Sequence, residues 1–142
     1  MSELEAGKTY KITNVKAGTA LDLSGTDNSS VIGWTSHDGA NQKWLLGRIG
    51  NQWTFRNVGN GRYLGLSGHP NDGTPLVAVD DFFKWDIYRD DNDGNVYRIF
   101  VPDHPTPINV DLSDHGNANP GTPITLWGKW EGKHQTWRFQ EV

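Results

Sequence analysis

The sequence predicts an all-β protein built from three similar repeats. Three observations predict it. Aromatic residues make up 11% of the 142-residue chain. The 17 Gly and 7 Pro punctuate it so often that no stretch of a dozen residues keeps a helical apolar period. Between them lie short alternating runs: Thr9-Tyr10-Lys11-Ile12, Ala20-Leu21-Asp22-Leu23, Trp53-Thr54-Phe55, Val96-Tyr97-Arg98-Ile99 and Trp137-Arg138-Phe139. Short strands at regular spacing, with turn residues between, indicate a sandwich or barrel.

The strands recur in a fixed order. One unit runs Tyr10-x-Ile12-x-Asn14, Leu21-Asp22-Leu23-Ser24, Val31-Ile32-Gly33-Trp34, Asn41-Gln42-Lys43-Trp44. A second runs Trp53-x-Phe55-x-Asn57, Leu64-Gly65-Leu66-Ser67, Leu76-Val77-Ala78-Val79, Phe83-Lys84-Trp85. A third runs Tyr97-x-Ile99-x-Val101, Val110-Asp111-Leu112-Ser113, Ile124-Thr125-Leu126-Trp127, His134-Gln135-Thr136-Trp137. The repeats occupy about residues 7–48, 49–93 and 94–142 of a single domain. Propellers usually have four or more blades, so three four-strand units fit a closed barrel with pseudo-threefold symmetry, the β-trefoil. Trp44, Trp85 and Trp137 close a strand in every unit and read as core.

Composition bounds the function. There is no Cys, so apolar packing and not disulfides must hold the fold. That fits a reducing compartment, and the start Met1-Ser2-Glu3-Leu4-Glu5 lacks the pattern of a signal peptide, so a cytoplasmic location is expected. A net charge of −4 with scattered Lys and Arg argues against a nucleic-acid partner and against a polybasic membrane anchor. No apolar run approaches the roughly 18 residues of a membrane span. Asp90-Asp91-Asn92-Asp93-Gly94 fails as a calcium loop, because Arg89 and Phe100 fall at its first and twelfth positions; it reads as a solvated hairpin turn. No nucleophile elbow, phosphate loop or metal-ligand spacing is present, so neither an enzyme nor a cofactor is expected.

The first and third units share a further template. Trp34-x-x-His37-Asp38-Gly39-x-Asn41-Gln42-x-Trp44 aligns with Trp127-x-x-Trp130-Glu131-Gly132-x-His134-Gln135-x-Trp137. Each follows an Asp-Leu-Ser, at Asp22 and Asp111; in the second unit Gly65 takes the Asp position and the closing loop is shorter. An aromatic face, a carboxylate, an amide and a Gly-lined turn suit a sugar. The ring stacks on the C–H face of a pyranose, the carboxylate takes charge-assisted bonds from hydroxyls, and an amide donates and accepts as a hydroxyl does. Shallow sites bind monosaccharides weakly, and two sites compensate by multivalency.

These repeats, with Asp-Leu-Ser and Asn-Gln-x-Trp in the first, resemble the ricin-B-type β-trefoil lectins, and the cysteine-free chain resembles the fungal fruiting-body lectins of that group. The resemblance spans about residues 7–142. It implies glycan binding with a preference for galactose or N-acetylgalactosamine, and a role in defence. It implies a carbohydrate site of Asp22, Ser24, Gly25, Trp34, His37, Gly39, Asn41 and Gln42, in which Gln42 mainly supports Asp22 and the loop. A candidate second site comprises Asp111, Trp127, Trp130, His134 and Gln135, altered by His134 in the place of Asn41 and Trp130 in the place of His37. Some such lectins are homodimers; the 7 Trp make a dimer an expectation whose interface the sequence does not locate. The competing reading is a protein-binding trefoil, a protease inhibitor or a non-catalytic subunit, acting through loops such as His69-Pro70-Asn71-Asp72 or His104-Pro105-Thr106-Pro107.

Overall fold

A computed structural model of the chain describes residues 3–142. Twelve strands form among them, four in each repeat. The first repeat holds β1 (Thr9–Asn14), β2 (Ala20–Leu23), β3 (Val31–Trp34) and β4 (Lys43–Ile49). The second holds β5 (Gln52–Asn57), β6 (Tyr63–Leu66), β7 (Leu76–Val79) and β8 (Asp86–Arg89). The third holds β9 (Tyr97–Phe100), β10 (Ile108–Leu112), β11 (Thr122–Gly128) and β12 (Trp137–Glu141).

The outer strands of each repeat make a barrel. β1 pairs with β4, β4 with β5, β8 with β9 and β9 with β12, all antiparallel. A Trp53–Trp85 bridge joins β5 to the start of β8. β12 returns to β1 in register from Tyr10–Glu141 to Asn14–Trp137, which closes the ring and leaves no free edge there. The inner strands form three hairpins, β2–β3, β6–β7 and β10–β11. These lean on one another in a triangle through β3–β11 and the bridges Ser30–Val77 and Pro75–Thr125. A barrel capped by three hairpins about a pseudo-threefold axis is the β-trefoil.

The core follows the repeat. Trp44, Trp85 and Trp137 are fully buried, with Ile12, Phe55, Ile99, Leu21, Leu64, Val110 and Leu126 around them. Each indole N–H donates to the backbone carbonyl one residue before the Asp position or its Gly counterpart: Trp44 to Leu21 (2.9 Å), Trp85 to Leu64 (3.1 Å), Trp137 to Val110 (3.1 Å). A buried indole thereby contributes its apolar area and leaves no orphan donor. These tryptophans are core as expected, but they open strands and do not end them. Trp44 is the second residue of β4, Trp137 the first of β12, and Trp85 immediately precedes β8. In the first and third repeats a single 3-10 turn, Ala40–Gln42 and Lys133–Gln135, leads the chain directly into the strand that carries the Trp.

The segment Asp90–Gly94 also differs from expectation. It is a turn, with Asp90 Oδ2 accepting from the backbone N–H of Asn92 and Asp93, but Asp90 itself is not solvated. Its carboxylate faces inward and pairs with Arg98, at 2.7 Å, both side chains being under a tenth exposed. Burial pushes the Asp90 carboxyl up, and the Arg98 and backbone hydrogen bonds outweigh it, leaving it below the usual carboxylate range.

Candidate functional site

Two rims of the trefoil carry the same arrangement of side chains. In the first repeat, Asp22 sits on β2 and points under the loop 35–42. Its Oδ2 accepts from Asn41 Nδ2 (3.1 Å) and Gln42 Nε2 (2.9 Å). Gln42 Nε2 also donates to the Thr35 carbonyl (2.9 Å), and Gln42 Oε1 accepts from the His37 N–H (2.9 Å). In the third repeat, Asp111 Oδ2 meets His134 Nε2 (3.2 Å) and accepts from Gln135 Nε2 (2.9 Å). Gln135 Nε2 donates to the Gly128 carbonyl (3.0 Å), and Gln135 Oε1 accepts from the Trp130 N–H (3.1 Å). The glutamine is fully buried in both repeats. It therefore braces the acid and both ends of the loop.

In each carboxylate one oxygen is committed to this bracing, and Oδ1 takes no bond from the described residues. Asp22 is 3% exposed and Asp111 6%, so each acid lies at the floor of its rim and not on its lip. Oδ1 is the acceptor left for a ligand. The same rims carry indoles with large exposed faces: Trp34 (41%) on the first, Trp127 (45%) and Trp130 (46%), which line a cleft with Asp111, on the third. Strand register puts Ala20 opposite Trp34 and Asn109 opposite Trp127, so each ring stands two positions from its acid across a hairpin.

The remaining first-repeat residues fall around this floor. His37 Nδ1 accepts from the Gly39 N–H (2.8 Å), which places its Nε2 4.0 Å from Asp22 Oδ2. The ring folds so closely over the loop that a Cβ at Gly39 would lie 2.5 Å from it; Gly132 holds the same place beside His134. Asn41 ties Asp22 to the Leu23 carbonyl (3.2 Å). Ser24 builds the turn after β2, its hydroxyl accepting from the Thr26 N–H, and Gly25 is exposed in that turn. The structure thus brings Asp22, His37, Gly39, Asn41 and Gln42 together by hydrogen bonds, with Ser24 and Gly25 on the neighbouring turn.

The third rim holds a cleft of about 670 Å³, lined by Asp111, Trp127, Trp130 and His134, and also by His115 and Lys129. A separate notch of about 150 Å³ lies beside Asn41, between Leu23, Asn28, Asn57 and Asn60. Part of the cleft's wall comes from residues 113–115. Asp114 and His115 adopt left-handed backbone (φ 55° and 53°), a conformation costly for residues with a side chain and concentrated at functional sites. The turn is pinned by Lys16 Nζ on the His115 carbonyl. It sets the His115 ring edge-on to both Trp130 and His134. Burial is the main influence on the Asp111–His134 pair, raising the Asp111 carboxyl and lowering the His134 imidazole; the Gln135 bond and the neighbouring imidazoles pull Asp111 only part of the way back.

Arg98 supports this rim from below. It is 3% exposed and donates to Asp90 Oδ1 (2.7 Å), Asn109 Oδ1 (3.1 Å), Gln135 Oε1 (3.0 Å) and the Trp130 carbonyl (2.9 Å). Its counterpart in the first repeat, Lys11, reaches only the surface groups Ser36 and Asp38. Arg98→Met leaves Asp90 buried and unpaired, and should cost about 3–5 kcal/mol of stability. Denaturant titration checks this, and Asp90→Asn added to the same chain should recover part of the loss.

The second repeat lacks this arrangement. It has Gly65 in place of the Asp, and a Cβ there would lie 2.5 Å from a Val79 methyl, so a carboxylate would have to displace Val79. Nor is its closing loop clamped. The first loop is held by Asn57 of the second repeat, whose Nδ2 donates to the Asn41 carbonyl (3.0 Å). The third is held by Asn14 of the first, whose Nδ2 donates to the His134 carbonyl (2.9 Å). The residue that would clamp the second loop is Val101. Among the described residues there is no cluster of three or more metal-ligating side chains, and no helix is long and apolar enough to cross a membrane.

Two rims of this β-trefoil thus pair an enclosed carboxylate with exposed indoles. Comparison with known proteins gives its class. A family model described as ricin-type β-trefoil lectin domain-like matches residues 2–79. The ricin B-like lectin of Macrolepiota procera, solved in complex with lactose, is 52% identical; the match covers 99% of this chain and 100% of that one, with a TM-score of 0.96. The Rhizoctonia solani agglutinin is 31% identical over 100% of this chain and 99% of its own, with a TM-score of 0.88. The designed threefold-symmetric protein ThreeFoil shares the fold at 20% identity, with a TM-score of 0.85 over 94% of this chain and 99% of its own. Comparison with curated proteins gives no match. The chain belongs to the family of ricin-type β-trefoil lectin domains, and it is a carbohydrate-binding lectin.

Proposed function

We propose that the protein binds galactose- or N-acetylgalactosamine-ended glycans, without catalysis, at two rims. Asp22, Trp34, His37, Asn41 and Gln42 form the first site, with Ser24, Gly25 and Gly39 shaping its loops. Asp111, Trp127, Trp130, His134 and Gln135 form the second. The observation that carries this is the repeated bracing of one carboxylate oxygen by a buried glutamine, which frees the other oxygen on a hairpin that also carries an exposed indole. The galactose preference is supported by the 52% identical lectin that was solved with lactose, a galactose-ended disaccharide. A role in defence, against organisms that display such glycans, accompanies this reading. Two weak sites on one small body favour densely displayed glycans over free sugar, because the second contact is intramolecular. A glycan array at several densities tests this. Binding should centre on galactose- and N-acetylgalactosamine-ended chains and rise steeply with density; silence on all such chains at the highest density would overturn it.

The two sites should differ in pH response. Sugar hydroxyls need Asp111 as a carboxylate, and its carboxyl is raised by burial. Affinity at the third rim should fall on acidification, with a midpoint above the ordinary carboxylate value of about 3.9. Burial holds the neighbouring His134 imidazole below its usual range. The sign for stability is opposite. A raised carboxyl binds its proton more tightly in the fold, so protonating Asp111 stabilises the protein even as it weakens binding. Calorimetric titration of Asp22→Ala with lactose between pH 7 and 4 reads the first effect.

A further inference from the structure

The third rim does not end at Trp127. A second hollow of about 410 Å³ lies beside the 670 Å³ cleft, and Gly128 borders both. Its walls are Asn71, Asp72, His104, Thr106 and Ile108. One short segment of the β6–β7 loop serves both hollows, since Gly73 faces the cleft and Asn71 and Asp72 face the hollow. Two contacts hold the walls in place. Asp72 Oδ1 accepts from the Gly128 N–H (2.8 Å), and His104 Nε2 approaches the Pro70 carbonyl (3.3 Å). The Asn71 amide, the second Asp72 oxygen and the Thr106 hydroxyl make no hydrogen bond among the described residues.

We infer that the third rim is an extended groove for a neutral oligosaccharide, with Asn71, Asp72 and Thr106 forming a subsite for the sugars beyond the one on Asp111. This rests on the reading of the third rim as a glycan site. The cleft is larger than a shallow monosaccharide site, and a chain stacked on Trp127 that continues past Gly128 runs directly into the polar hollow. An amide, a carboxylate oxygen and a hydroxyl suit hydroxyls that both donate and accept. The carboxylate would repel an acidic sugar, and an apolar peptide face would leave these three groups unpaired.

The test uses the full chain with Asp22→Ala, so that only the third rim binds. Lactose and lacto-N-neotetraose, a neutral galactose-ended tetrasaccharide, are titrated by calorimetry. The tetrasaccharide should bind roughly tenfold more tightly, the effect of one or two added hydrogen bonds. Adding Asn71→Ala and Thr106→Val should remove that gain and leave lactose affinity unchanged; Thr106→Trp, which fills the hollow from an exposed position, should do the same. Equal affinities for the two sugars, or a gain that survives these variants, would overturn the groove. If neither sugar binds the Asp22→Ala chain, the third-rim site itself is withdrawn and the groove with it.

Discussion

Replacing Trp85 by Ala should destabilise the protein by about 3–5 kcal/mol, the range for truncating a large buried aromatic. The indole is fully buried and its N–H is spent on the Leu64 carbonyl, so the variant loses packing and leaves a buried acceptor unpaired. Against the 5–15 kcal/mol typical of a domain, that is a large fraction. For a chain of this length it lowers the melting temperature by roughly 10–20 °C. Trp85 is the informative choice because its repeat has no site, so a loss of binding cannot be confused with a loss of fold. Pseudo-threefold symmetry adds a sharper expectation: Trp44→Ala and Trp137→Ala should cost amounts close to that of Trp85→Ala, since all three indoles make the same contact. Urea denaturation of the three variants reads this. A Trp85→Ala protein with an unchanged midpoint would mean that the indole is not a core support.

The second large effect concerns the two acids. Asp22→Ala removes a charge-assisted acceptor and leaves the Asn41 and Gln42 amides only their backbone acceptors; Asp111→Ala takes the carboxylate from His134 and Gln135. Each should weaken its own site by roughly ten- to a hundredfold, from the 1.5–3 kcal/mol of a bond to a charged group. Binding to a dense glycan surface should fall further, because either loss also removes the multivalent gain. In calorimetry the wild type should titrate two sugars per chain, each single variant one, and the double variant none. A single variant that still titrates two would show that its acid is not a ligand.

Most of the fold was legible because the signal was repeated three times. One Leu-Asp-Leu-Ser strand proves little, but Leu21, Leu64 and Val110 recurring at one place in three units identify a layer of the core. The special place of Asp22 in the proposed first site was legible for a related reason: it stands in an apolar strand, where a carboxylate otherwise serves no packing end. Other features were hidden by long-range contact. Arg98 reads as an outward residue of an alternating strand, and nothing local shows that Asp90 turns in to meet it. The Asn14 and Asn57 clamps act across repeats; their signal was present in the Asn–Asn–Val series ending at Val101, which marks the repeat whose loop is lost. His115 was invisible because its importance lies in a left-handed backbone that Ser113-Asp114-His115 does not announce. The loops His69–Asp72 and His104–Pro107 looked independent and instead meet through His104 and Pro70.

A crystal of the protein soaked with lactose tests the central claim most directly. The galactose ring should lie against Trp34 with its hydroxyls on Asp22 Oδ1, and a second should lie against Trp127 over Asp111 Oδ1, while the Gly65 rim stays empty. Sugar bound elsewhere on the surface, or at neither carboxylate when the crystal is saturated, would contradict it.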